Sequence, residues 1–149
     1  MQVAAGVIPA ATGTTVFKLC NTPESSTGTW VTTMDSASFC GFYYYCSSGL
    51  INEKLSFKVA LATGTYTIRI GGSIGTAAPI LTVKLDGSSI ATLDLYAAAP
   101  TKAQVVEQTG VSIAPAAAVQ TLELCADSKH ASSSDYHTAI TYIEFIRTA

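Results

Sequence analysis

From residue 54 onward, apolar and polar positions alternate with a period of two. Leu55, Phe57 and Val59 alternate with Ser56, Lys58 and Ala60; Tyr66, Ile68 and Ile70 alternate with Thr67, Arg69 and Gly71; Leu81, Val83 and Leu85 alternate with Thr82 and Lys84. Residues two apart share one face of a strand, so each run turns one face to a core and the other to water. The Val, Ile, Thr and Tyr that fill these runs suit a pleated, half-buried surface. Residues 90–95 form the next strand. It is joined to its predecessor through Asp86-Gly87, a hairpin dipeptide whose two residues tolerate positive φ. Thr63-Gly64 marks a further turn.

The alternation weakens over residues 96–109, where Pro100 and a run of alanines predict a loop followed by a strand at 103–107. It recovers in a strand at 119–125, entered through a turn at 115–118. Residues 127–135 read as a polar loop with three consecutive serines. Residues 137–147 read as a long final strand that changes facing once at a bulge. Gly71, Gly72 and Gly75 read as a loop, and with no helix after them they form no phosphate cradle. No helix of three turns is predicted, and short strands separated by regular turn signals argue for an all-β sandwich.

The first third of the chain has a different texture. Residues 1–52 carry one base, Lys18, and two acids, Glu24 and Asp35. Strands are predicted at 14–19 and 29–33. Residues 1–13 show no alternation and are rich in Ala, Gly and Thr; they read as an arm that needs a surface to lie on, with residues 14–149 as the single domain. The run Phe42-Tyr43-Tyr44-Tyr45, as a strand, sends Phe42 and Tyr44 to one face and Tyr43 and Tyr45 to the other. Tyrosines serve both cores and contact surfaces.

Composition narrows the function classes. Charged residues make up 12% of the 149, about half the usual share of ~25%, while apolar residues reach 48%. That balance opposes disorder. A net charge of −2 with eight scattered Lys and Arg provides no basic face for nucleic acid. Residues 1–15 lack the basic leader of a secretory signal, and no stretch reads as a membrane span.

Cys20, Cys40, Cys46 and Cys125 form no CxxC pair, so the expectation is buried thiols packing as small hydrophobes. If any two bridge, Cys40 and Cys46 are the expected pair, because they flank a short aromatic loop. Asp127, His130, Asp135 and His137, near Cys125, are metal-ligand types, but in a serine-rich hairpin they read as solvated side chains, and neither metal nor cofactor is expected. No nucleophile motif and no paired carboxylates stand out, so an enzyme is not expected.

The segments Gly64-Thr65-Tyr66-Thr67-Ile68-Arg69-Ile70, Leu81-Thr82-Val83-Lys84-Leu85-Asp86-Gly87, Ile90-Ala91-Thr92-Leu93-Asp94-Leu95, Val111-Ser112-Ile113, Val119-Gln120-Thr121-Leu122-Glu123-Leu124 and Ile140-Thr141-Tyr142-Ile143-Glu144-Phe145 resemble successive strands of family 6-type carbohydrate-binding modules. The resemblance covers residues 54–147 and implies a jelly-roll β-sandwich of two antiparallel sheets. Similar grammar occurs in accessory domains of tailed-phage virions, including capsid decoration (cement) proteins and fibre tips. In the binding modules an Asn before the last strand and loop aromatics hold the sugar. Here Ala139 and Thr141 stand where Asn and Asp are expected, and the single Trp, Trp30, lies outside the matching region.

The resulting expectation is a non-enzymatic structural protein of a tailed-phage virion. It would decorate and stabilise the capsid surface, with the major capsid protein and copies of itself, as dimer or trimer, as partners. The alternative is a glycan-binding module or the receptor-binding tip of a tail fibre, although a glycan is not the expected partner given Ala139 and Thr141. Candidate partner contacts are Val3, Val7 and Ile8 in the arm, with Trp30, Tyr43, Tyr45 and Tyr136 in the domain. Neither nucleic acid nor membrane is an expected partner.

Overall fold

A computed structural model describes residues 6–7, 16–19, 23, 25–46 and 50–149. Among the described residues there are twelve strands and no helix. In chain order they are β1 (Gly6–Val7), β2 (Val16–Leu19), β3 (Ser25–Thr27), β4 (Trp30–Met34), β5 (Phe42–Cys46), β6 (Glu53–Ala60), β7 (Gly64–Ile74), β8 (Ile80–Leu85), β9 (Ser88–Asp94), β10 (Thr101–Ile113), β11 (Gln120–Ser128) and β12 (Thr138–Arg147). They form two sheets packed as a sandwich. One runs β1-β6-β11-β8-β9 with β3 also on β6; the other runs β10-β7-β12-β5-β4 with β2 also on β12. All pairings are antiparallel except that of β1 with β6.

The period-two runs supply the core. Leu55, Phe57, Val59, Leu81, Val83, Leu122 and Leu124 line the first sheet's inner face, and Tyr44, Tyr66, Ile68, Ile70, Ile140, Ile143 and Phe145 line the second's. The Tyr66 ring meets Phe145 edge-on, with centroids 6.4 Å apart, and its hydroxyl donates to the Ala62 carbonyl at 2.7 Å. The outer face of the first sheet carries two ion pairs, Lys54 with Glu123, and Lys84 with Asp127 at 3.1 Å. Asp86 (φ 49) and Gly87 (φ 81) both take positive φ, making the tight primed turn that the dipeptide predicts.

The final strand does change facing at a bulge. The β12–β7 register shifts between Ile140 and Tyr142, so Ile140 and Ile143 both reach the core. Residues 101–113, in contrast, are one continuous strand where the sequence predicts a loop and a shorter strand. Two register shifts absorb the irregularity, with Ala103 at φ 51 and Gly110 at φ 69. Gly71 and Gly72 lie inside β7 and not in a loop. A Cβ at Gly71 would lie 2.7 Å from Cδ1 of Tyr142 and closer to Cε1, and one at Gly72 would strike the Ala139 carbonyl. Their missing side chains let the bulged part of β12 lie close on β7.

The cysteine expectation needs correction. Cys40 is in a disulfide whose partner lies outside the described residues, while Cys46 and Cys125 are buried thiols. Cys46 and Cys40 therefore do not bridge. The Cys46 thiol instead donates to Oε2 of buried Glu53 at 2.8 Å. Within the arm, Gly6 and Val7 pair with Val59 and Ala60 of β6; the rest of residues 1–13 lies outside the described residues.

Candidate functional site: a groove at one end of the outer sheet face

Three outward positions on adjacent strands floor a groove of about 180 Å³: Tyr45 on β5, Ala139 on β12 and Ser73 on β7. Ile74, residues 75–78 of the β7–β8 connection, Pro100 and His137 form its walls. Alternation explains why Tyr45 is there. Tyr44 faces the core, so its neighbour faces out, directly opposite Ala139.

The walls are fixed by hydrogen bonds between three loops. Gly75 N donates to Leu95 O at 3.0 Å and Ala97 N to Gly75 O at 3.2 Å. Ser134 N donates to Thr76 O at 2.9 Å and His137 N to Ala77 O at 2.8 Å. The buried Ser133 hydroxyl lies 2.8 Å from Ala78 O and 2.9 Å from Asp135 O. Such cross-loop bonding holds the groove open in one shape, the usual condition of a small-molecule site. The same loops carry Tyr96 stacked on His130 (centroids 4.4 Å apart, 7° between planes) and Lys129 5.2 Å above the Tyr136 ring. His137 Nε2 lies 3.2 Å from Asp135 Oδ2.

Chemically the groove mixes apolar surface (Ile74, Ala77, Ala78, Pro100, Ala139) with the Tyr45 phenol, the Ser73 and Thr76 hydroxyls and the His137 imidazole. Hydroxyls and imidazole both donate and accept. Among the described residues no group of three His, Cys, Asp or Glu side chains could hold a metal ion. The four candidate ligands are engaged separately: Asp127 with Lys84 and Thr82, His130 with Tyr96, and Asp135 with His137.

Of the sequence candidates, Tyr45 lines the groove and Tyr136 stands in the loop beside it. Tyr43, at 5% exposure, is buried and presents little surface to a partner. Trp30 is half-buried against the core, its indole N–H donating to Thr27 O at 2.9 Å, so it stands apart from the groove. The side chains of Val3, Val7 and Ile8 lie outside the described residues. Sequence reasoning missed Ser73, Thr76 and Pro100. The glycine-rich stretch before Thr76 and the proline at 100 were visible as loop signals, but nothing in them told that the two loops meet. Position 139 does line the groove, whereas Thr141 is fully buried at the bulge.

A β-sandwich structurally similar to carbohydrate-binding modules of families 6, 35 and 36 is thereby defined. A family 35 carbohydrate-binding module from an environmental isolate superposes with a TM-score of 0.63 at 21% identity, over 90% of this chain and 96% of that one. A family 6 module from Clostridium cellulolyticum, in complex with xylose, gives 0.63 at 12% identity, over 87% and 95%. A Paenibacillus xanthan lyase gives 0.67 at 17% identity over 98% of this chain, which spans only 14% of that enzyme. No protein-family model and no curated relative matches the sequence.

Proposed function

We propose that this protein is a non-enzymatic glycan-binding module whose ligand sits in the groove floored by Tyr45, Ser73 and Ala139. One observation carries the reading: the sandwich superposes on carbohydrate-binding modules of families 35 and 6 over about nine-tenths of both chains, and it bears a groove with a mixed lining at a loop-bearing end. Apolar walls suit the C–H faces of a pyranose ring, and the phenol, hydroxyls and imidazole suit its hydroxyls. The sequence sets glycans aside because Ala139 and Thr141 stand where Asn and Asp are expected. In the groove the small Ala139 side chain leaves floor space, and the hydroxyls of Ser73 and Thr76 with His137 are the polar groups at hand.

Capsid decoration draws no comparable support. The similar folds named above are binding modules and an enzyme of polysaccharides, and the described part of the arm pairs with the protein's own β6. A fibre tip and an accessory module of a polysaccharide enzyme would both use the groove, so the glycan is the ligand common to both settings. The test is a glycan array of neutral and acidic oligosaccharides that includes xylo-oligosaccharides, probed with the wild type and with Tyr45→Ala. We expect selective binding that Tyr45→Ala weakens about tenfold, the scale of a truncated aromatic anchor. Absence of binding across the array, or binding indifferent to Tyr45, overturns the proposal.

A further inference from the structure

The edges of the two sheets are protected unequally. The open edge of β6 is covered by β1 and β3, and that of β12 is shared by β5 and β2. β10 is broken by two bulges and carries Lys102 and Glu107, each in an ion pair. The edge of β9 is met by β10, with Thr92 N donating to the Gln108 side chain at 2.9 Å. Bulges, edge charges and cover are the devices by which sheets avoid pairing with other chains. β4 has none of them: its sequence is Trp-Val-Thr-Thr-Met, without charge, proline or register shift. No strand among the described residues pairs on its far side. Val31 is 50% exposed and Met34 80%.

We propose that β4 is a dimerisation edge, on which a second copy of this chain adds its own β4 antiparallel and continues the sheet across a two-fold axis. The strand is self-complementary in that arrangement. Full overlap of the five residues places Thr32 opposite Thr32 of the second copy, Val31 opposite Thr33, and Trp30 opposite Met34. The exposed Met34 thioether thus meets an indole, a favourable sulfur–aromatic contact. Thr–Thr and Val–Thr pairs suit antiparallel neighbours, and no like charges oppose one another. The acid that follows the strand, Asp35, is already matched by Lys102 at 2.5 Å. Equal roles for both copies give the closed two-fold symmetry that most oligomers adopt.

Sedimentation velocity over a concentration series tests this, using the full chain and the single variants Thr32→Lys and Thr32→Glu. The wild type is expected to show a monomer–dimer equilibrium. Each variant alone should self-associate about tenfold or more weakly, because like charges then meet on the axis. An equimolar mixture of the two should recover dimer, a result specific to pairing at Thr32. Should either variant fold poorly, Met34→Lys probes the same edge, with Val105→Lys on β10, at the opposite edge of that sheet, as a control that keeps the dimer. A wild type that stays monomeric at every concentration overturns the proposal. So do variants that dimerise as tightly as the wild type, or a mixture no more dimeric than its parts.

Discussion

Ala139 on β12 pairs directly with Tyr45 on β5, and the two side chains together line the floor of the groove. A methyl beside a phenol leaves an open shelf with one rigid amphipathic wall. Filling that shelf should close the site without touching the core. Ala139→Trp is therefore expected to keep the wild-type melting temperature to within a few degrees and to abolish binding of whichever glycan the array selects. Retained affinity in a folded Ala139→Trp protein would place the site elsewhere.

Two glycines should respond to substitution for opposite reasons. At Gly71 the backbone is ordinary but space is lacking, since an added Cβ would overlap the Tyr142 ring. Gly71→Ala should cost about 1–3 kcal/mol, the range for overpacking. Much of that cost should be recovered in a Gly71→Ala, Tyr142→Ala double variant relative to additivity. At Gly87 space is open, with nothing within 4 Å, but φ is +81°, so Gly87→Val should cost about 1–2 kcal/mol through the backbone alone. Denaturant unfolding measures both, and additive behaviour at positions 71 and 142 would refute the steric account.

These two glycines also mark how far the sequence could be read. The strands from residue 54 on were legible, because a one-sided buried sheet imposes alternation that Leu55-Phe57-Val59 and Tyr66-Ile68-Ile70 display openly. Gly87 was legible as a turn because its neighbour is Asp86. Gly71 was not legible as a strand residue. Its reason for being glycine is the ring of Tyr142, seventy-one positions away, and no local pattern encodes such a contact. The groove was half visible for the same reason. Tyr45 stood out in an aromatic run, while Ser73, Thr76 and Pro100 become a wall only when three loops are brought together.

Stability should fall on the alkaline side in a defined order. Burial raises the Cys125 thiol above its ordinary 9.0, and raises the Tyr66 and Tyr142 phenols above 10.0. The hydrogen bonds to Glu123 and Asp127 raise Lys54 and Lys84 above 10.5. Each of these groups holds its proton more tightly folded than unfolded. Its contribution is thus complete below the unfolded value and is lost as pH rises through the folded one. Melting temperature should be level through neutral pH and begin to fall above about pH 9. Cys125→Ala should delay that onset toward pH 10. An onset unchanged by Cys125→Ala would remove the thiol from this account.

The cysteines should separate by reactivity. With Cys46 and Cys125 buried as thiols and Cys40 in a disulfide, a thiol-alkylating reagent should leave both thiols unmodified in the native protein. In denaturant without reductant, mass mapping should find Cys46 and Cys125 alkylated and Cys40 protected. Alkylation of Cys40 under those conditions would contradict the assigned bonding.

Glycan binding in the groove at Tyr45 and Ala139 is read residue by residue by amide NMR during titration with the oligosaccharide the array selects. Saturable shifts are expected at Tyr45, Ser73, residues 75–78, His137 and Ala139, with little change at the Asp86-Gly87 hairpin. Shifts that never saturate, or that cluster at the hairpin and spare the groove, would contradict it.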